Sequence, residues 1–245
     1  MNNIKLLVSY DGTDYLGWQK TRTGKSIEEI LGNALREILR EEVELQAASR
    51  TDRGVHAEGQ VVNFFTQTND LQLVYRGVNA VLPRNISVKS VEIAEPSFHP
   101  TLNSKGKEYH YFICPVPVQL PFHRSFSWHV PTPLVLEEME KAAQLLLGMR
   151  DFSAFCNEQA DSKRSGICTL KSIKLEMQED GRLLIAVIGD NFLYKMVRNL
   201  VGTLVYVGMG KIKAENIPHI LESRDRTQAG VTAPAHGLLL KRVFY

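Results

Sequence analysis

The sequence has 245 residues, of which 44% are apolar and 23% charged, with a formal net charge of +2. That length suits one large domain or two of ordinary size, and the balance is that of a globular protein, which excludes a disordered or low-complexity chain. No run approaches the ~20 consecutive apolar residues of a membrane span, and the polar start Met1-Asn2-Asn3 does not read as a signal peptide. The three cysteines, Cys114, Cys156 and Cys168, lack metal-ligand spacing, and their odd number argues against a disulfide framework. A cytoplasmic protein without a metal is therefore expected.

In chain order, residues 5–10 read as a strand ended by Asp11-Gly12. Ser26 and Glu29 make a capping-box pattern, and Ile27, Ile30, Leu31, Ala34, Leu35 and Ile38 recur at helical spacing behind it. Apolar stretches at 43–48 and 60–65 read as strands, with a loop between them. Residues 71–81 predict a second helix stopped by Pro83, and Ile86, Val88 and Val91 begin a fourth strand. This order, strand-helix-strand-strand-helix-strand, is the ferredoxin-like arrangement.

The loop in the first half runs Ser49-Arg50-Thr51-Asp52-Arg53-Gly54-Val55-His56-Ala57. It holds one carboxylate with an arginine near it on each side, at strand ends where function concentrates. Opposite charge favours the ionised carboxylate, which can then act as nucleophile or base. The arginines can also grip phosphates. A structural ion pair in a surface loop is the competing reading of the same residues. Gly54 permits a turn that other residues would strain.

The second half repeats the order of elements without repeating sequence. Residues 109–114 are a predicted strand, followed by a passage with Pro115, Pro117 and Pro121. A helix is expected at 134–147, a hairpin at 170–177 and 183–188 around Glu179-Asp180-Gly181, the most apolar helix at 193–207, a short helix at 214–221, and a closing strand at 238–244. The division expected is 1–100 and 101–245. Together the halves predict an α+β protein of two ferredoxin-like parts, joined as one extended, mostly antiparallel sheet with helices on one face. A cleft between the halves is the natural ligand site.

Two more segments carry candidate chemistry. In Lys107-Glu108-Tyr109-His110-Tyr111 the two tyrosines share a strand face, where an aromatic ring packs in the core or stacks on a base. Arg198 lies inside an otherwise apolar helix, where its charge needs an acidic partner; Asp52 is a candidate. Local basic clusters could meet nucleic acid despite the small net charge: Lys20, Arg22 and Lys25; Arg50 and Arg53; Lys105 and Lys107; Lys163 and Arg164; Lys195 and Arg198. Phosphate-loop, dinucleotide and zinc-protease motifs are absent.

The octet 50–57 with Gln60-Val61-Val62-Asn63-Phe64 resembles the signature of the tRNA pseudouridine synthase A family. Further stretches resemble that family in the right order. They are Ser9-Tyr10-Asp11-Gly12 with Gly17-Trp18-Gln19, Phe98-His99, Lys107-Glu108-Tyr109, Asp151-Phe152, and Phe192-Leu193-Tyr194 with Met196-Val197-Arg198. Gly202-Thr203 and Ala233-Pro234 with His236-Gly237-Leu238 complete the series. Ser49 stands where the family usually has glycine, Thr101 where it has arginine and Arg150 where it has histidine.

The resemblance implies conversion of uridine to pseudouridine in the tRNA anticodon stem-loop, at tRNA positions 38, 39 and 40. It implies that Asp52 is the catalytic carboxylate and that Tyr109 packs on the target base and assists proton removal. It further implies that Arg198 pairs with Asp52 and that Arg50 displaces or holds the nucleotide. No cofactor or metal is implied, and a homodimer binds the tRNA. Arg53, Lys105, Lys107 and Lys195 are further expected RNA contacts. A non-catalytic RNA-binding module is the alternative reading, since the ferredoxin-like order serves such modules too. A glycosidase would need a second carboxylate, and none stands out.

Overall fold

The computed structural model describes residues 1–22, 24–157 and 166–245. In chain order the elements are β1 (Asn2–Tyr10), α1 (Ile27–Leu39), β2 (Gln46–Ala47), β3 (His56–Thr66), α2 (Leu71–Val81), β4 (Ile86–Ala94) and β5 (Gly106–Cys114). There follow β6 (Trp128–His129), α3 (Leu136–Leu145), β7 (Gly148–Asp151), β8 (Ile167–Met177), β9 (Leu183–Gly189), α4 (Met196–Gly208), α5 (Ile217–Ser223) and β10 (Leu238–Phe244). They gather into two compact units, Met1–Lys105 with Leu239–Tyr245, and Gly106–Leu238. The fold is α+β. No helix among the described residues is long and apolar enough to cross a membrane.

In the first unit β1 lies between β4 and β3, antiparallel to both, in the registers Tyr10↔Ile86 and Leu6↔Val62. Ile4, Leu6, Val8 and Tyr10 are buried while the residues between them are less so, the alternation of a sheet with one covered face. The expected strand at 43–48 shrinks to Gln46–Ala47, which pairs antiparallel with β3 at Asn63 and Val62. The other end of that edge of β3 is taken by β10, parallel, with Leu239 opposite His56. Gly59 makes this approach feasible, because a Cβ there would fall 2.3 Å from the Lys241 carbonyl oxygen. The strand-helix-strand-strand-helix-strand order and its antiparallel pairings make this unit ferredoxin-like.

Both helices of this unit start and stop where their sequences direct. Ser26 caps α1 by accepting from the Glu29 N–H, and Asp70 caps α2 by accepting from the Leu73 N–H. Leu82, held extended by the proline after it, ends α2.

The second unit lays β5 against β9, β9 against β8 and β8 against β7, all antiparallel. Tyr109, Tyr111 and Ile113 are buried on the face that alternates with half-buried His110 and Phe112. Helix α4 is buried nearly all round, as its apolar sequence requires, and the Gly208 carbonyl at its end accepts from Val135 at the start of α3. It begins at Met196, three residues later than expected, because Lys195 takes the left-handed conformation (φ 59°) and turns the chain there. β6 and β7 were not anticipated; each is too short to carry a period. The final strand, counted from sequence with the second half, has Leu239–Tyr245 grouped with the first unit through β3.

Candidate active site

Asp52 sits in the loop between β2 and β3 and is half-buried, flanked by exposed Arg50 and Arg53 and buried Thr51. The loop turns through a bond from the Val55 N–H to the Asp52 carbonyl (3.1 Å), with Gly54 at φ 77°. The expected glycine turn is therefore present. Ser49 is not among the positive-φ residues, so this backbone accepts a side chain where the family usually has glycine.

The loop is braced from behind. Fully buried Gln60 donates to the Ser49 carbonyl (2.6 Å) and accepts from the Ser49 N–H (3.2 Å). The Tyr10 hydroxyl lies 2.7 Å from Thr51 Oγ1, and the Trp18 N–H donates to the Thr51 carbonyl (3.0 Å). A Cβ at Gly17, which holds φ 98°, would fall 2.5 Å from the Thr51 carbonyl oxygen; one at Gly12 would fall 2.0 Å from that of Val55. Beyond the loop, buried His56 accepts through Nδ1 from the Gly12 N–H (3.0 Å), and the same nitrogen lies 3.0 Å from Asp11 Oδ1. The opening stretch thus forms the wall against which the Asp52 loop is cast. The sequence alone assigns no role to Tyr10, Gly12, Gly17 or Gln60. The available signal is a tyrosine at the end of β1 with two glycines just beyond it.

The second unit carries Tyr109 and Arg198. Tyr109 pairs with Val187 across the sheet, is 7% exposed, and meets the edge of Phe192 at a centroid distance of 5.1 Å. Its strand neighbour Tyr111 is a core residue. Tyr111 is fully buried and donates its hydroxyl proton to the Pro234 carbonyl (2.8 Å), and a Cβ at Gly237 would strike its ring. Burial lifts the Tyr111 hydroxyl pKa well above the ordinary value, with the Arg198 charge opposing part of the rise.

Arg198 is half-buried in the first turn of α4. Its Nε donates to the Ala233 carbonyl (2.7 Å), and the Ala233 N–H donates back to the Arg198 carbonyl (3.1 Å). The Ala233-Pro234 stretch and Gly237 therefore serve both the helix bearing Arg198 and the strand bearing Tyr109 and Tyr111.

The remaining basic candidates differ in setting. Lys105 is exposed at the end of the first unit, as are Lys20, Arg22 and Lys25. Lys107 shares the face of Tyr109, is half-buried, and has its ammonium pushed below the ordinary value by burial. Lys195 carries its ammonium over the Tyr194 ring, 4.8 Å from the centroid. Lys163 and Arg164 lie outside the described residues. No cluster of three or more potential metal ligands occurs among the described residues.

A family model described as tRNA pseudouridine synthase matches residues 6–101 and 142–245. "tRNA pseudouridine synthase A 2" of Protochlamydia amoebophila is 52% identical over 248 residues, covering 100% of this chain and 95% of that protein. "tRNA pseudouridine synthase A" of Thermoanaerobacter sp. is 44% identical over 246 residues, covering 100% of both chains. A further P. amoebophila protein, "tRNA pseudouridine synthase A 1", is 41% identical over 249 residues, covering 100% of this chain and 97% of its own.

Proposed function

This chain belongs to the tRNA pseudouridine synthase family, and from that membership we propose that it isomerises uridine to pseudouridine in the anticodon stem-loop of tRNA, at positions 38, 39 and 40, with Asp52 as the catalytic carboxylate. In the reaction the N1–C1′ glycosidic bond breaks, C5 of the uracil bonds to C1′, C5 loses its proton and N1 gains one. Atoms and electrons balance within the substrate, so the chemistry needs positioned acid–base groups rather than an external group or electron carrier.

The observation that carries the reading is the bracing of the Asp52 loop. A carboxylate that attacks C1′ or removes a ribose proton has to be held to within a fraction of an ångström. Gln60, Tyr10, Trp18 and Gly17 hold Ser49 and Thr51, the residues that lead into half-buried Asp52. A loop with only a surface ion pair has no need of such support.

Tyr109 and Arg198 of the second unit, together with basic residues of both units, are assigned the complementary tasks. Tyr109 packs on the uracil and assists proton removal, and Arg198 pairs with the Asp52 carboxylate. Arg50, with Arg53, Lys105, Lys107 and Lys195, grips the phosphates and fills the place of the extruded nucleotide, whose unstacking costs a few kcal/mol. The enzyme works in the cytoplasm as a homodimer on one tRNA.

The test uses an unmodified tRNA transcript. The wild-type chain should convert uridine to a product of unchanged mass that resists uridine-specific cleavage. Asp52→Ala should bind the tRNA within about threefold of wild type and form no pseudouridine. Base loss would indicate a glycosidase, and binding without turnover by the wild type an RNA-binding module. Either result, or substantial turnover by Asp52→Ala, overturns the reading.

A further inference from the structure

Arg198 has its guanidinium aimed by a backbone carbonyl, so whatever fixes that carbonyl also fixes the arginine. The Ala233 carbonyl belongs to the 230–233 segment, which lies directly on α4. A Cβ at Gly202 would fall 1.7 Å from the Val231 carbonyl oxygen, and the Gly230 N–H donates to Thr203 Oγ1 (2.9 Å). Beside this contact Arg226, Asn199 and Thr232 close a triangle of hydrogen bonds. Arg226 Nη2 donates to Asn199 Oδ1 (2.9 Å) and to Thr232 Oγ1 (3.0 Å), and Thr232 Oγ1 donates to Asn199 Oδ1 (2.7 Å).

Asn199 is fully buried and sits next to Arg198 on α4. Its amide nitrogen donates to the Phe155 carbonyl and to Asn157 Oδ1, both at 2.7 Å. Both donors and both acceptor positions of the side chain are thus occupied, which leaves the amide one orientation. Arg226 has no ion pair among the described residues, and burial alone pushes its guanidinium below the ordinary value. A charge desolvated with neutral partners is a poor way to gain stability. It does define where Thr232, the residue before Ala233, has to sit.

We infer that Asn199, Arg226 and Thr232 are positioning residues for the reaction: their hydrogen-bonded triangle holds the 230–233 segment so that the Ala233 carbonyl directs the Arg198 guanidinium. The inference rests on the role proposed above for Arg198. None of the three need touch the substrate, so their loss should act on turnover and leave tRNA binding alone.

Thr232→Val removes the hydroxyl at nearly constant shape, and Thr232→Ser keeps it. On an unmodified tRNA transcript, Thr232→Val should lower kcat roughly 10- to 100-fold, as a displacement of about 1 Å does, with KM within about twofold of wild type. Thr232→Ser should stay within about threefold of wild-type kcat. In a crystal structure of Thr232→Val the Arg198 Nε should lie beyond the hydrogen-bond limit of about 3.5 Å from the Ala233 oxygen. Thermal melting establishes that each variant is folded. If Thr232→Val does not fold, Arg226→Met, which keeps an unbranched chain but removes the donor to both Asn199 and Thr232, takes its place under the same criteria.

Wild-type kcat in folded Thr232→Val, an equal loss in Thr232→Ser, or a variant structure with the Arg198–Ala233 bond intact would overturn the inference. Failure of the wild-type chain to convert tRNA would instead overturn the reading of the function, and the crystallographic arm alone would then decide the positioning role.

Discussion

The hydroxyl of Tyr10 lies 2.7 Å from the hydroxyl of Thr51, with both residues buried, so the position immediately before Asp52 is fixed by the last residue of β1. Tyr10→Phe keeps the ring and leaves Thr51 without this partner, at a cost of about 1–3 kcal/mol for an unsatisfied buried group. The melting temperature should fall accordingly. Turnover should fall further than tRNA binding, because the loop loses position rather than contact area. Calorimetry and a split of kcat from KM check both parts.

Gly17 is held at φ 98° with its α-carbon against the Thr51 carbonyl. Gly17→Ala puts a Cβ into the left-handed region at about 1–2 kcal/mol and also into that oxygen, so the loop must shift. Loss of at least about 2 kcal/mol of stability is expected, together with loss of activity. A denaturant melt with unchanged stability would show that the two segments are not clamped together.

Arg198→Met should cut pseudouridine formation by at least about 100-fold, equivalent to ~2.7 kcal/mol of transition-state stabilisation. Two losses contribute. The Ala233 carbonyl loses its donor, and the proposed Asp52 partner loses its counter-charge. Single-turnover assays measure the rate. A crystal structure of the tRNA complex with Arg198 more than about 6 Å from the Asp52 carboxylate would refute the charge pairing.

Tyr109 has a ring and a hydroxyl whose roles separate by substitution. Tyr109→Leu should weaken tRNA binding by the ~1–3 kcal/mol of a base–aromatic stack, whereas Tyr109→Phe should bind normally and turn over slowly. Equilibrium binding and single-turnover rates on the same transcript distinguish the two. Wild-type rates in Tyr109→Phe would end the proton-transfer role and leave the stacking role standing.

Affinity for tRNA should fall steeply with salt, because each phosphate contact adds a slope of roughly −0.7 to −0.9 in log affinity against log salt. Removing exposed Arg50 should reduce that slope by about one contact. Light scattering should give the mass of a dimer. A monomer with a flat salt response would refute both the assembly and the phosphate grip.

Much of this protein is legible without coordinates. Ser26 and Asp70 cap their helices through bonds to a backbone three residues ahead, and Leu82 ends a helix because Pro83 follows; such signals act within a few residues. The glycine turn at Gly54 and the alternation along β1 and β5 are local in the same sense. Asp52 and Arg198 stand out in sequence as charges in unusual stretches, whereas Tyr109 is singled out by the family resemblance. What surrounds them comes from residues distant along the chain. Trp18 reaches the carbonyl of Thr51, the edge of β3 is divided between Gln46–Ala47 and a strand near the end of the chain, and Ala233 aims Arg198. Hydrophobic period and turn chemistry do not encode such pairings, because they depend on which backbones pack closely enough to exchange a hydrogen bond. Gly17 and Gly202 show why: in sequence each is only a small residue, and only the fold reveals a carbonyl oxygen where a methyl group would have been.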